Sequence, residues 1–163
     1  MRNLFILMLS ILFVGCSARE PEKTGKEGQP IPNFHMLLSD SVTHFWSSSI
    51  KADSPTVFVY FWTTCPYSRA EIQDLLDDID NMEDIQFYFV TPNSYKQLEH
   101  YVTAYHLHGY KNLSVGMDTS QFFSKYFDNG AVPLTAIYGK DHRLKAAYVG
   151  QISSTEVKTY AKK

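Results

Sequence analysis

Cysteine is nearly absent from this chain of 163 residues, which has only Cys16 and Cys65. A secreted fold stapled by several disulfides is therefore excluded. No apolar run reaches the ~20 residues that a membrane-spanning helix needs. An excess of one charge is missing too: 15 Lys+Arg stand against 17 Asp+Glu, a formal net charge of -2, and no basic stripe is present. Nucleic acid is accordingly not an expected partner. The sequence also lacks a Gly-rich phosphate loop, an internal repeat and a low-complexity tract. What it does have is aromatic residues, 11 Tyr and 11 Phe among them, enough to build a core largely from rings. Charged residues make up 20% and hydrophobic ones 44%, which is not the composition of a disordered acidic chain. The length suits one domain of ordinary size.

Met1-Arg2-Asn3 is a short positive start, followed by an apolar run from Leu4 to Val14 broken only by Ser10. The run has the ~7–15 residues of a signal-peptide core. Gly15 and Cys16 at its end resemble the bacterial lipobox, although Phe13 stands where that pattern usually has Leu. The resemblance implies a signal peptide over 1–15 and a lipidated Cys16, its sulfur locked in a thioether. Plain secretion, with cleavage near Gly15 or Ala18, is the alternative. Residues 16–32 are polar and rich in Gly and Pro, so they read as a flexible tether to a domain over 33–163.

Within that domain, 34–38 and 42–46 read as a strand with a short return, and Thr56 to Trp62 as a strand covered on both faces. From Pro66, the apolar Ile72, Leu75, Leu76 and Ile79 recur at the spacing of one helix face. Ile85 to Val90 is another strand. Ser94 with Gln97 forms a capping-box pattern opening a helix whose inner face is Tyr95, Leu98, Val102 and Tyr105. Strand Leu113–Met117, a short helix 121–127, strands 134–138 and 143–149 around a Gly139–His142 turn, and a last helix capped by Ser153 and Glu156 complete the order. The expected class is an α/β sandwich: a central sheet with helices on both faces.

Cys65 falls between a strand and a helix, with Pro66 at the first helical position that proline favours. Free N–H groups at a helix start stabilise a thiolate, but a helix terminus contributes only ~0.3–1 kcal/mol against about 1.4 kcal/mol per pKa unit. Further donors, such as the Ser68 hydroxyl, are needed to make the thiol clearly acidic.

The segment Tyr60-Phe61-Trp62-Thr63-Thr64-Cys65-Pro66-Tyr67-Ser68-Arg69-Ala70-Glu71 resembles the active-site run of thioredoxin-like proteins, especially the membrane-tethered TlpA/ResA-like (redoxin) thiol–disulfide oxidoreductases of bacteria. Gly130 to Tyr138 resembles the same proteins' cis-proline loop and following strand. The resemblance covers about residues 30–163. It implies a thioredoxin-like three-layer sandwich with a mixed sheet, lipid-anchored to a bacterial membrane outside the cytoplasm and facing the periplasm. It makes Cys65 the attacking thiol, Glu71 an aid to proton transfer, and Pro66, Tyr67, Val132 and Pro133 the surface that receives an extended substrate chain.

One departure alters the chemistry. Ser68 stands where the family carries its second cysteine, and a hydroxyl cannot release a mixed disulfide. The expectation is therefore monothiol exchange with protein or peptide thiols and disulfides, resolved by an external thiol or partner protein. The alternative is a redox-inactive module that binds an extended peptide or partner. Val59 occupies the position of the aspartate in thioredoxins proper. Trp62 and Phe58 stand where peroxiredoxins have Thr and Pro, which argues against a peroxidase. His106 and His108 lack a third ligand, so neither a metal nor any other cofactor is expected.

Overall fold

The computed structural model describes residues 19–163. The expected signal peptide over 1–15 and the lipidated Cys16 lie outside the described residues. In chain order the elements are β1 (His35–Leu38), β2 (His44–Trp46), β3 (Thr56–Tyr60), α1 (Pro66–Asp77), β4 (Gln86–Thr91), α2 (Tyr95–Ala104), β5 (Leu113–Met117), α3 (Phe122–Tyr126), β6 (Leu134–Tyr138), β7 (Leu144–Val149) and α4 (Ser154–Ala161). This is the order that the sequence patterns predict.

The seven strands form one mixed sheet in the order β2-β1-β5-β4-β3-β6-β7. β3, β4 and β5 are parallel, and α1 and α2 supply the crossovers that parallel neighbours require. β6 lies antiparallel to both β3 and β7, and β1 antiparallel to β2 and β5. Close approach of β1 to β5 uses Gly116, where a Cβ would come within 2.8 Å of the Leu37 carbonyl. Every residue of β3 and β6 is buried, as expected for strands covered on both faces.

Strand alternation divides the core in two. Val57, Val59, Phe87, Phe89 and Ile137 face a layer made by α1, α2 and α4 through Ile72, Leu75, Leu98, Val102 and Val157. Tyr101 is buried there, whereas the expected inner residues Tyr95 and Tyr105 are only partly covered. The opposite face packs Phe34, Phe58, Tyr60, Tyr88 and Tyr138 under α3 through Phe123 and Phe127. Phe58 is the hub of these rings, with centroids of Phe34, Phe123, Tyr88 and Tyr138 at 5.4, 5.4, 5.2 and 5.8 Å.

Caps at two helix starts match their patterns. The Ser94 N–H donates to Gln97 at 3.1 Å, and the Ser153 N–H donates to Glu156 at 2.9 Å. The start of α3 is served by Asp118, a fully buried carboxylate that accepts from the Phe123 N–H at 2.9 Å.

Residues 16–32 depart from expectation in their described part. The composition reads as a flexible tether, but 19–31 runs as a strap beside β7. The Glu22 N–H donates to the Ala147 carbonyl at 2.8 Å and the Gly28 N–H to that of Leu144 at 2.9 Å. Leu144 returns a bond to Gln29 at 2.9 Å, and Ile31 donates to His142 at 3.0 Å. Polar, Gly- and Pro-containing composition denies this segment a core of its own. It does not deny it the backbone groups of an otherwise open sheet edge.

Phe58→Ala should lower the unfolding free energy by ~3–5 kcal/mol in urea titration, the usual cost of deleting a buried ring. Val42→Ala, at a side chain that is 75% exposed, should change it by less than about 0.5 kcal/mol.

Candidate active site

The register of β3 against β6 sets Tyr60 opposite Leu134. The chain leaving β3 and the chain entering β6 therefore lie at the same end of the sheet, and this brings Cys65 to Val132. The thiol points at the Val132 carbonyl, 3.8 Å away, and the Val132–Pro133 peptide is cis.

Local bonds build the turn before α1. The Phe61 N–H donates to Val90 at 2.9 Å, the Cys65 N–H to Trp62 at 3.0 Å, and the Arg69 N–H to Cys65 at 3.1 Å. Asn93 pins the turn from the neighbouring loop: its Oδ1 accepts from the Thr63 N–H at 2.8 Å and the Thr91 hydroxyl at 3.0 Å. Sequence reading passed over Asn93, since an asparagine just before a capping serine looks like loop chemistry alone. Cys65 is itself the extended N-cap residue, and Pro66 occupies the first helical position, where no N–H is needed.

Burial pushes the Cys65 thiol up. The Ser68 N–H, the Ser68 hydroxyl and the Tyr67 N–H favour the thiolate and outweigh it, so the thiol lies below its ordinary value. Ser68 is completely buried, and its Oγ has no hydrogen-bond partner among the described residues. A buried orphan hydroxyl costs ~1–3 kcal/mol, which a thiolate acceptor would offset. Cys65 is partly exposed, and beside it Trp62 and Tyr67 are 45% and 66% exposed. Hollows of about 370 and 300 Å³ exist elsewhere on the surface, and Cys65 lines neither. The thiol thus lies at a partly open surface flanked by two exposed rings.

Glu71 is one helical turn beyond Ser68 on the same inward face. It is completely buried and accepts from the Thr135 hydroxyl and from the Ile152 N–H at 3.2 Å. Its bonds go to β6 and to the turn after β7, and none goes to Cys65. Desolvation raises its pKa to about 7, against the opposing pull of those two donors and of the Arg19 charge; Asp74 adds to the rise. Cys65, Pro66, Tyr67, Ser68, Val132 and Pro133 therefore meet at one place, while Glu71 sits beneath it. Among the described residues no three His, Cys, Asp or Glu side chains converge as a metal site.

The raised Glu71 pKa gives a signed pH dependence. The folded chain holds this proton up to about pH 7, whereas an unfolded glutamate releases it near 4.5. The stability it contributes is complete below pH 4.5 and is lost as pH rises through 7. Glu71→Gln stays neutral, so its unfolding free energy should gain on that of the native chain between pH 5 and 8, by up to roughly 3 kcal/mol. Ser68→Ala should raise the apparent thiol pKa, seen as slower iodoacetamide alkylation of Cys65 at pH 7.

No family model and no curated protein matches the chain. Solved structures do. StoA from Bacillus subtilis is 12% identical over 80% of this chain and 97% of that one, with a TM-score of 0.64. MTB dsbF, in mixed oxidized and reduced forms, is 17% identical over 78% and 92%, with a TM-score of 0.67. The thioredoxin domain of a thiol-disulfide oxidoreductase from Bacteroides vulgatus is 12% identical over 82% and 93%, with a TM-score of 0.64. Such identities speak for architecture, and together with the sheet order they make this a chain of the thioredoxin-like fold.

Proposed function

We propose that this protein performs monothiol thiol–disulfide exchange through Cys65. The observation that carries the reading is the juxtaposition of a partly exposed, acidified thiol and the buried, unpartnered Ser68 hydroxyl. The Cys65 thiolate attacks one sulfur of a substrate disulfide, forms a mixed disulfide and expels the other sulfur as a thiolate, which takes a proton from solvent. An external thiolate then attacks the mixed disulfide and frees Cys65. Each step exchanges one S–S bond for another, so electrons balance without a cofactor. Ser68 stabilises the thiolate and cannot resolve the intermediate.

The substrate chain lies against the Val132 carbonyl and the exposed rings of Trp62 and Tyr67. An extended peptide suits this open surface, since it offers both backbone donors and side chains to the rings. The Bacteroides vulgatus structure named as a thiol-disulfide oxidoreductase shares the fold and supports the same chemistry. Location belongs to this reading too. The signal peptide over 1–15 and a lipid on Cys16 would place the domain outside the cytoplasm, tethered to a bacterial membrane. Among the described residues no helix is long and apolar enough to cross one.

Mixing the protein with a small aromatic disulfide should yield one equivalent of mixed disulfide at Cys65 without turnover. Ser68→Cys should add catalytic turnover in insulin disulfide reduction. A Cys65 thiol with an apparent pKa at or above ~8.5, the unperturbed value, would overturn the exchange reading. Peptide capture that survives Cys65→Ser undiminished would instead establish a redox-inactive binding module, as the exposed rings of Trp62 and Tyr67 would allow.

A further inference from the structure

Three facts meet at the turn after β7. Gly150 donates its N–H to the Pro133 carbonyl at 2.7 Å. Two residues on, the Ile152 N–H donates to Glu71 at 3.2 Å. Between and around them, the Arg19 guanidinium donates to the carbonyls on either side of Gly150: Nη2 to Val149, and Nη1 to Gln151 at 3.2 Å. The turn that Arg19 grips thus holds the loop facing the thiol with one N–H and the buried carboxylate with another.

The guanidinium lies directly over this turn. Gly150 has φ +87°, in the left-handed region that favours glycine, and a Cβ there would meet Arg19 Nη1 at 3.5 Å, an ordinary van der Waals distance. The guanidinium lies 5.8 Å from the centre of the Tyr148 ring, and the Tyr148 hydroxyl donates to the Arg19 carbonyl at 3.4 Å. A planar fork with several fixed donors can hold two carbonyls at once, which a lysine ammonium on its flexible stem does poorly.

We propose that Arg19 is a positioning residue for the thiol site: by clamping the 149–151 turn it holds the Pro133 loop and Glu71 in place, so that the N-terminal strap and the site act as one unit. The consequence at the thiol rests on the exchange reading above; the clamp itself does not. The charged groups acting on Glu71 agree with this placement. Arg19 on the strap lowers its proton affinity, and Asp74 on α1 raises it. β6 presents the neutral Thr135 to Glu71. At the start of α4 the Ser154 N–H binds Asp74 at 2.6 Å, and Glu156 is turned back onto Ser153 at 2.9 Å.

The test uses the full chain with Arg19→Ala and Arg19→Lys. The Glu71 carboxyl is titrated by carbon-13 NMR, and amide exchange is followed at Gly150 and Ile152. In Arg19→Ala the Glu71 midpoint should move to higher pH, and exchange at both amides should quicken by tenfold or more. In Arg19→Lys, which keeps the charge and loses the fork, the midpoint should stay near the native one while exchange at Gly150 still quickens. The pH profile of Cys65 alkylation should change in Arg19→Ala. An unmoved Glu71 midpoint together with unchanged amide exchange in Arg19→Ala overturns the clamp; should that variant not fold, native exchange rates at Gly150 in Arg19→Lys do so. Failure of native Cys65 to form any mixed disulfide overturns the exchange reading instead, and leaves both of these readouts standing.

Discussion

The antiparallel ladder between β3 and β6, five pairs from Thr56 with Tyr138 to Tyr60 with Leu134, carries the rest of this structure. Both strands are buried along their whole length, so a slip of one residue would turn every side chain to the wrong face. Rings on one side of the ladder and aliphatic side chains on the other hold that register. Because it is held, the turn leading to Cys65 and the loop before Leu134 meet at one end of the sheet. The reactive geometry is thus a property of the core, and the loops inherit it.

Polar groups placed inside this apolar frame make the site unusual. Ser68 and Glu71 share the inward face of α1 with the apolar Ile72 and Leu75. The first is an unsatisfied hydroxyl beside a thiol; the second is a carboxylate that costs stability whenever it ionises. Both exert their influence on protonation, one by favouring the thiolate from close by and the other by holding a proton up to about pH 7. On the exchange reading, Ser68 supplies no resolving thiol and leaves the acidifying environment of Cys65.

Much of this was legible beforehand because it depends on periodicity. The order of strands and helices follows from the alternation in 113–117, the i, i+3, i+4 spacing after Pro66, and the capping pairs at Ser94 and Ser153. The proximity of residues 65 and 132 was legible only through resemblance, since no local pattern spans such a separation. The strap was not legible at all. Its contacts run through backbone groups, which every residue possesses, and through Arg19, whose partners are carbonyls without a sequence signature. Asn93 and Asp118 escaped for a similar reason: short polar side chains bonding to nearby amides look alike whether they serve a site or a surface turn.

The strap also bears on what the β7 edge can do. The carbonyls of Ala147 and Leu144 and the Leu144 N–H are taken by Glu22, Gly28 and Gln29. Left uncovered, such an edge is a template on which a second strand can pair, from another copy or from an unfolded chain. Loosening Arg19 from the 149–151 turn would therefore weaken the cover of that edge as well as the turn.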